Sequence, residues 1–153
     1  MNNYAAGISM LTFIIAVTVS MWYYQFVYIP ESSAKPHLPK EILDPADHVK
    51  VTIIEGSSQP SQTKNFEPKE VRGVLGISNK VIWTNTDVTA HSVTSDSQYV
   101  DKINGPFNSI ASIGLIPPKK TFEFTFTHAG EYPYHCEPHP WMTGKINIVE
   151  NFS

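Results

Sequence analysis

Cys136, His139 and Met142 recur at intervals of three within Tyr132-Pro-Tyr-His-Cys-Glu-Pro-His-Pro-Trp-Met142. Runs predicted to be strands flank them, so a tight loop can point a thiolate, an imidazole and a thioether into one small volume. A second imidazole is available as His91, in Thr84-Asn-Thr-Asp-Val-Thr-Ala-His-Ser-Val-Thr94. Two imidazoles and a thiolate in a plane, with methionine as a weak axial ligand, are the donor set of a mononuclear blue-copper site. Structural zinc prefers Cys and His with tetrahedral closure and rarely takes Met. Thiolate and thioether suit Cu(I), and imidazole also accepts Cu(II), so such a site serves both oxidation states with little rearrangement. Taken singly, Cys136 reads as buried core, Met142 as core filler and His139 as a loop histidine. The four together read as one metal centre holding one copper ion.

The elements that must position these residues are short and β-rich. Val49, Val51, Ile53 and Ile54 form one run, stopped by Gly56-Ser57-Ser58. Val71–Leu75 and Lys80–Thr84 form two more around a turn at Gly76 to Asn79, and Ser92–Thr94 is a short candidate. Thr121 to Thr127 alternates strictly, which places Phe122, Phe124 and Phe126 on one face of a strand. Glu131–Cys136 and Lys145–Val149 complete the set. Asp96 to Pro118 is expected to be a long, turn-rich connection. No stretch after Pro30 has sustained helical periodicity. The fold class predicted is all-β, a Greek-key β-sandwich or barrel.

Ahead of it lies an apolar stretch with no charged residue from Tyr4 to Ile29. About 20 helical residues rising ~1.5 Å each cross a hydrocarbon core of ~30 Å. Trp22, Tyr23, Tyr24 and Tyr28 crowd its C-terminal end, where amphipathic aromatics favour the headgroup layer. Pro30 and Glu31 are expected to close the segment. Met1-Asn2-Asn3 carries no Lys or Arg and the apolar run is long. The reading is therefore one N-terminal transmembrane helix rather than a cleaved signal, although Ser32 and Ala34 are spaced like a cleavage site. Lys35 and Lys40 alone would place the following residues inside. Sizeable domains translocate largely regardless of such charges, so the domain is placed on the extracytoplasmic side of the cell membrane. The organisation expected is an anchor over 1–30, a Pro-rich extended tether over 31–47 (Pro36, Pro39, Pro45), and a β domain over 48–153.

The motifs in the second half resemble those of the plastocyanin/azurin family of small blue copper proteins, the cupredoxins. The resemblance covers roughly Val49 to Val149. It rests on Asn65-Phe-Glu-Pro68, Val81-Ile-Trp-Thr-Asn-Thr-Asp87 leading to His91, Gly130-Glu-Tyr-Pro-Tyr-His-Cys136, and the Cys-x-x-His-x-x-Met loop. The short loop is similar to those of amicyanin and pseudoazurin. With its anchor, the whole chain resembles the membrane-tethered, halocyanin-like proteins of archaea. The resemblance implies His91, Cys136 and His139 as equatorial copper ligands and Met142 as the axial one. It also implies hydrogen bonds from Asn85 and Ser92 that hold the ligand loops together, and His139 as the electron exit. Pro138, Pro140 and Trp141 would rim it as a docking patch for transient redox protein partners.

Composition narrows the alternatives. Of 153 residues, 41% are hydrophobic and 16% charged, which excludes a disordered chain. The net charge of −3 is scattered without a basic stripe, so nucleic acid is not an expected partner; with the carrier reading, no small-molecule substrate is expected either. A single cysteine allows no intramolecular disulfide. It also excludes a binuclear oxidase copper centre in this chain, since Tyr132 stands where the first of its two cysteines would fall. The function expected is single-electron carriage and not catalysis. One alternative is a nitrite reductase-like enzyme using His135, beside Cys136, at a second copper. Strand alternation turns His135 away from the Cys136 side, and the chain has no second cupredoxin domain to complete such a centre. Copper storage or delivery is the other alternative. His37, His48 and His128 lie in tether or turn contexts and are expected to be solvated.

Overall fold

The computed structural model describes residues 4–32 and 38–151, which fall into two compact units, Met1–Pro36 and His37–Ser153. The first unit is an α-helix over Tyr4–Tyr23, a π-helical stretch over Tyr24–Tyr28 and a further α-turn over Ile29–Ser32. Its side chains face outward all round from Met10, as an apolar helix without a polar face must. The segment Met10–Glu31 is long and apolar enough to cross a membrane. Aromatic pairs four residues apart line its end, Trp22 with Phe26 at 6.0 Å and Tyr24 with Tyr28 at 5.5 Å between ring centroids. The apolar span ends at Glu31, as expected, while helical geometry runs through Pro30 as far as Ser32.

The second unit starts earlier than the sequence suggests. The tether expected over 31–47 is helical over Lys40–Leu43, and Asn79 Nδ2 donates to Ile42 O at 2.8 Å while Asp47 N donates to Ile77 O at 3.0 Å. Pro39 precedes that turn and Pro45 follows it, so the prolines bracket a helical turn instead of forbidding one. Residues 33–37 of the expected tether, with His37, lie outside the described residues.

Among the described residues ten strands follow: β1 His48–Ile53, β2 Phe66–Glu67, β3 Glu70–Val74, β4 Lys80–Asn85, β5 Thr94–Ser95, β6 Val100–Asp101, β7 Gly105–Pro106, β8 Thr121–Thr125, β9 Gly130–Cys136 and β10 His139–Val149. One sheet has the order β2-β1-β4-β8, the other β3-β10-β9-β5, and β6-β7 is a small ribbon. The pairs β1/β4 and β3/β10 are parallel, the others antiparallel. The sandwich expected from the alternating runs is the fold observed. Phe122, Phe124 and Phe126 all point inward. The centre of the core is aromatic: Tyr134 meets Trp83 edge-on at 5.6 Å and Phe66 at 4.9 Å. Aromatic rings fill the volume between sheets with few rotatable bonds, a geometry that favours one packing.

Two local expectations shift. The candidate strand over Ser92–Thr94 pairs only from Thr94, because Ser92 N donates to Cys136 Sγ and Val93 N to Ser109 Oγ instead of to ladder carbonyls. Within the connection 96–118 lie the β6/β7 ribbon and one helical turn, Ser109–Ser112. Asn108 caps that turn, its Oδ1 accepting from Ile110 N at 2.8 Å.

Candidate metal centre

Two segments distant in sequence meet at the site. His91 follows β4 on a loop that runs back through the interior, held there by paired bonds with Ile116: His91 N to Ile116 O at 3.2 Å, and Ile116 N to His91 O at 2.7 Å. Cys136 ends β9 and His139 begins β10, directly opposite each other across a two-residue turn. The ladder then breaks register between His139 and Thr143. Such an irregularity reorients side chains locally, and here Met142 turns fully inward between exposed Trp141 and Thr143.

Cys136 Sγ stands 3.5 Å from His139 Nδ1 and 3.7 Å from His91 Nδ1. The three donor atoms lie within 4.8 Å of one another, and His91 and Cys136 are buried. The two imidazole rings are 4.8 Å apart. Met142 is buried in the same apolar cluster as Cys136. The structure therefore brings His91, Cys136 and His139 together and places Met142 in the core beside the cysteine's strand. Among the described residues these three are the group of His, Cys, Asp or Glu side chains able to share an ion, and His135 is not part of it. His135 turns to the surface, where its Nδ1 pairs with Asp96 Oδ1. His48 and His128 are exposed, as expected.

Hydrogen bonds around the cysteine tie the two ligand segments into one piece. Ser92 N donates to Sγ at 3.3 Å, and Glu137 N donates to Ser92 Oγ at 2.8 Å. Asn85 Nδ2 donates to both Thr89 O (2.8 Å) and Ile116 O (2.9 Å), closing the loop that carries His91. Of the two residues singled out for holding the ligand loops together, Ser92 links them, while Asn85 braces the His91 loop internally and against Ile116.

Asp87 is a residue the sequence reading passed over as part of a motif. Its Oδ2 lies 2.8 Å from His91 Nε2, and the pair is buried. Burial by itself would raise this carboxyl. The bonds from His91 and from the amides of Gly56, Val88 and Ser58 outweigh it and hold the group below the usual carboxylate range. An ionised carboxylate only accepts, so His91 Nε2 is the donor to Asp87, and Nδ1 is the ring nitrogen that faces Cys136. The available signal was an acidic residue four positions before the interior histidine, which a turn can fold back onto it.

Burial raises the Cys136 thiol, with the Ser92 bonds only partly opposing it, and burial together with neighbouring His91 lowers His139. Cys136, as its thiolate, and the imidazoles of His91 and His139 would hold a metal ion there. One sulfur and two imidazole nitrogens converging on a point, walled by apolar side chains, fit a soft ion that also tolerates nitrogen, which is copper.

Comparison with known proteins agrees with this chemistry. Amicyanin-alpha from Methylorubrum extorquens is 35% identical over 98 residues, covering 62% of this chain and 73% of that protein. Amicyanin from Paracoccus denitrificans is 31% identical over 87 residues, 56% of this chain and 58% of that protein, so the match spans well under two thirds of its length. In fold the chain is similar to a purple cupredoxin from Nitrosopumilus maritimus, with a TM-score of 0.53 and 24% identity over 66% of this chain and 99% of that one. Residues 55–149 match the family of copper binding proteins that includes plastocyanin and azurin. That match takes in the whole Asp87–His91 loop and the whole Cys136–Met142 loop, and with it this chain belongs to the plastocyanin/azurin family, the cupredoxins.

Proposed function

We propose that the protein is a membrane-tethered single-electron carrier in which one type 1 copper is held by His91, Cys136 and His139, with Met142 as the axial ligand. The observation that carries this reading is the convergence of Cys136 Sγ with Nδ1 of both histidines at 3.5 and 3.7 Å. Copper bound there supplies the redox couple, Cu(I)/Cu(II). The protein holds the donors nearly fixed: His91 by Asp87, Cys136 by Ser92, and His139 by its place in the β9/β10 turn.

His139 is the half-buried ligand, and Pro138, Pro140 and Trp141 rim it. The Trp141 ring lies tilted against that of His139, 5.3 Å between centroids, and donates from Nε1 to Ser57 O at 3.1 Å. An apolar rim around a partly exposed ligand suits brief docking over a small interface. The partners are other redox proteins, and no substrate is converted. The apolar helix anchors the domain to the cell membrane on its extracytoplasmic face, in the arrangement of the halocyanin-like archaeal proteins.

The test is Cu(II) loading of the fragment His37–Ser153, which keeps the helical turn packed against Asn79. An intense visible charge-transfer band, bleached by reductant and absent in Cys136→Ser, with one copper per chain, is the expected result. Two coppers per chain would instead support an enzyme with a second centre, and a colourless copper complex would overturn the ligand set.

A further inference from the structure

Asp87 has no place among the four proposed ligands, yet it is among the most enclosed charged groups of the domain, 2% exposed beside His91 at 0%. Its carboxylate is fully engaged. Oδ1 accepts from Val88 N at 2.8 Å and Gly56 N at 3.1 Å, and Oδ2 from Ser58 N at 3.3 Å while it meets His91 Nε2 at 2.8 Å. Among the described residues no Lys or Arg forms an ion pair with it; its side-chain partner is His91 Nε2. A buried carboxylate facing amides and one imidazole keeps most of its negative charge, and a low-dielectric interior does little to screen it.

The cradle that holds it is built from the turn after β1 and braced from the Cys136–Met142 loop. Gly56 adopts φ +83, a left-handed conformation that aims the amides of the turn after β1 at one point. The turn is braced by Ser57, whose Oγ donates to Ile54 O at 2.6 Å, and by Trp141, whose Nε1 donates to Ser57 O. Asp87 N donates in turn to Asn85 Oδ1 at 2.9 Å, fixing the carboxylate from its own side.

We propose that Asp87 is a positioning residue for His91 and that its buried negative charge favours Cu(II) over Cu(I) at the centre. This rests on the ligand reading above. With the thiolate and Asp87 each contributing one negative charge, a divalent ion brings the enclosed set to neutrality, whereas a monovalent ion leaves one negative charge uncompensated. A carboxylate accepting from the far nitrogen of a ligand histidine also fixes its tautomer and makes it a stronger donor, which benefits the more highly charged ion most.

The experiment uses the full chain in detergent, loaded with copper, as parent, Asp87→Asn and Asp87→Glu. Asparagine keeps an acceptor near Nε2 and removes the charge; glutamate keeps the charge. Removing such an outer partner typically weakens metal binding about 10–100-fold. If the loss falls on Cu(II), a tenfold change raises the one-electron reduction potential by about 59 mV. The expected result is a visible band in all three, a raised potential in Asp87→Asn, and a potential close to the parent's in Asp87→Glu. An unchanged potential in Asp87→Asn with its band intact overturns the proposal. So does loss of fold in both variants, judged by melting of the metal-free proteins, which would make Asp87 a cap for the turn. If Asp87→Asn alone fails to fold, a potential in Asp87→Glu far from the parent's also overturns it, and one close to the parent's supports it. Absence of the band in the parent would be a failure of the ligand reading itself.

Discussion

A single methyl group at Gly144 tests whether the aromatic core is as rigid as its packing implies. Gly144 pairs with Tyr134 across β9 and β10, and a Cβ built there would lie 2.4 Å from Tyr134 Cζ, 2.5 Å from its hydroxyl oxygen and 2.8 Å from Cε1. The ring has little room to retreat, being fully buried with Phe66 at 4.9 Å, Trp83 at 5.6 Å and Phe107 at 6.0 Å. Overpacking a dense core costs about 1–3 kcal/mol, and a site braced on three sides belongs at the upper end, about 3 kcal/mol. Replacing glycine returns about 0.4–1 kcal/mol by restricting the unfolded chain. The net loss for Gly144→Ala is then about 2 kcal/mol, and at about 4 °C per kcal/mol for a domain of this size the midpoint should fall by about 8 °C. The assay is thermal unfolding of the metal-free fragment His37–Ser153 by circular dichroism. Gly105→Ala is the contrast: nothing lies within 4 Å of its Cβ, and only its φ of +78 opposes the change, a cost of about 1–2 kcal/mol. A Gly144→Ala midpoint within about 2 °C of the parent would refute the argument that Tyr134 is locked in place.

Met142→Leu separates packing from ligation: volume is nearly conserved, so stability of the metal-free protein should change by less than about 1.5 kcal/mol. The reduction potential of the copper form should nevertheless move, because the thioether is gone, and an unmoved potential would remove Met142 from the ligand set. Asp101 offers a pH test away from the site. Burial would raise its carboxyl, but bonds from Thr127, Ile103 and Asn104 prevail and lower it. A carboxyl held below its unfolded value contributes stability that is complete above about pH 4 and lost as pH falls through the folded value. Asp101→Asn should therefore cost about 2 kcal/mol near neutrality, with the gap from the parent narrowing in acid. A gap independent of pH, measured by denaturant titration of the metal-free fragment, would contradict this.

What could be read from residues alone was what depends on residue type and local period. Cys136, His139 and Met142 fall close together because a short loop permits nothing else, and alternation sends Phe122, Phe124 and Phe126 to one face whatever surrounds them. An uncharged stretch of that length reads as a spanning helix for the same reason. Contacts distant in sequence were decided by the tertiary fold. That Ile42 would dock on Asn79, ending the tether before His48, depends on a side-chain amide 37 residues away. Ser92 and Val93 leave the ladder because a sulfur and a serine hydroxyl from other segments meet their amides first. His91 could be read from the sequence as an available imidazole, but only the sandwich brings its loop, 45 residues from Cys136, to the same end of the core. Asp87 was visible as a letter but not as a buried charge, since its burial depends on the Gly56–Ser58 turn closing over it. Local sequence specifies which atoms can bind a metal; only the packing of two sheets sets which of them face one another, and what lies behind them.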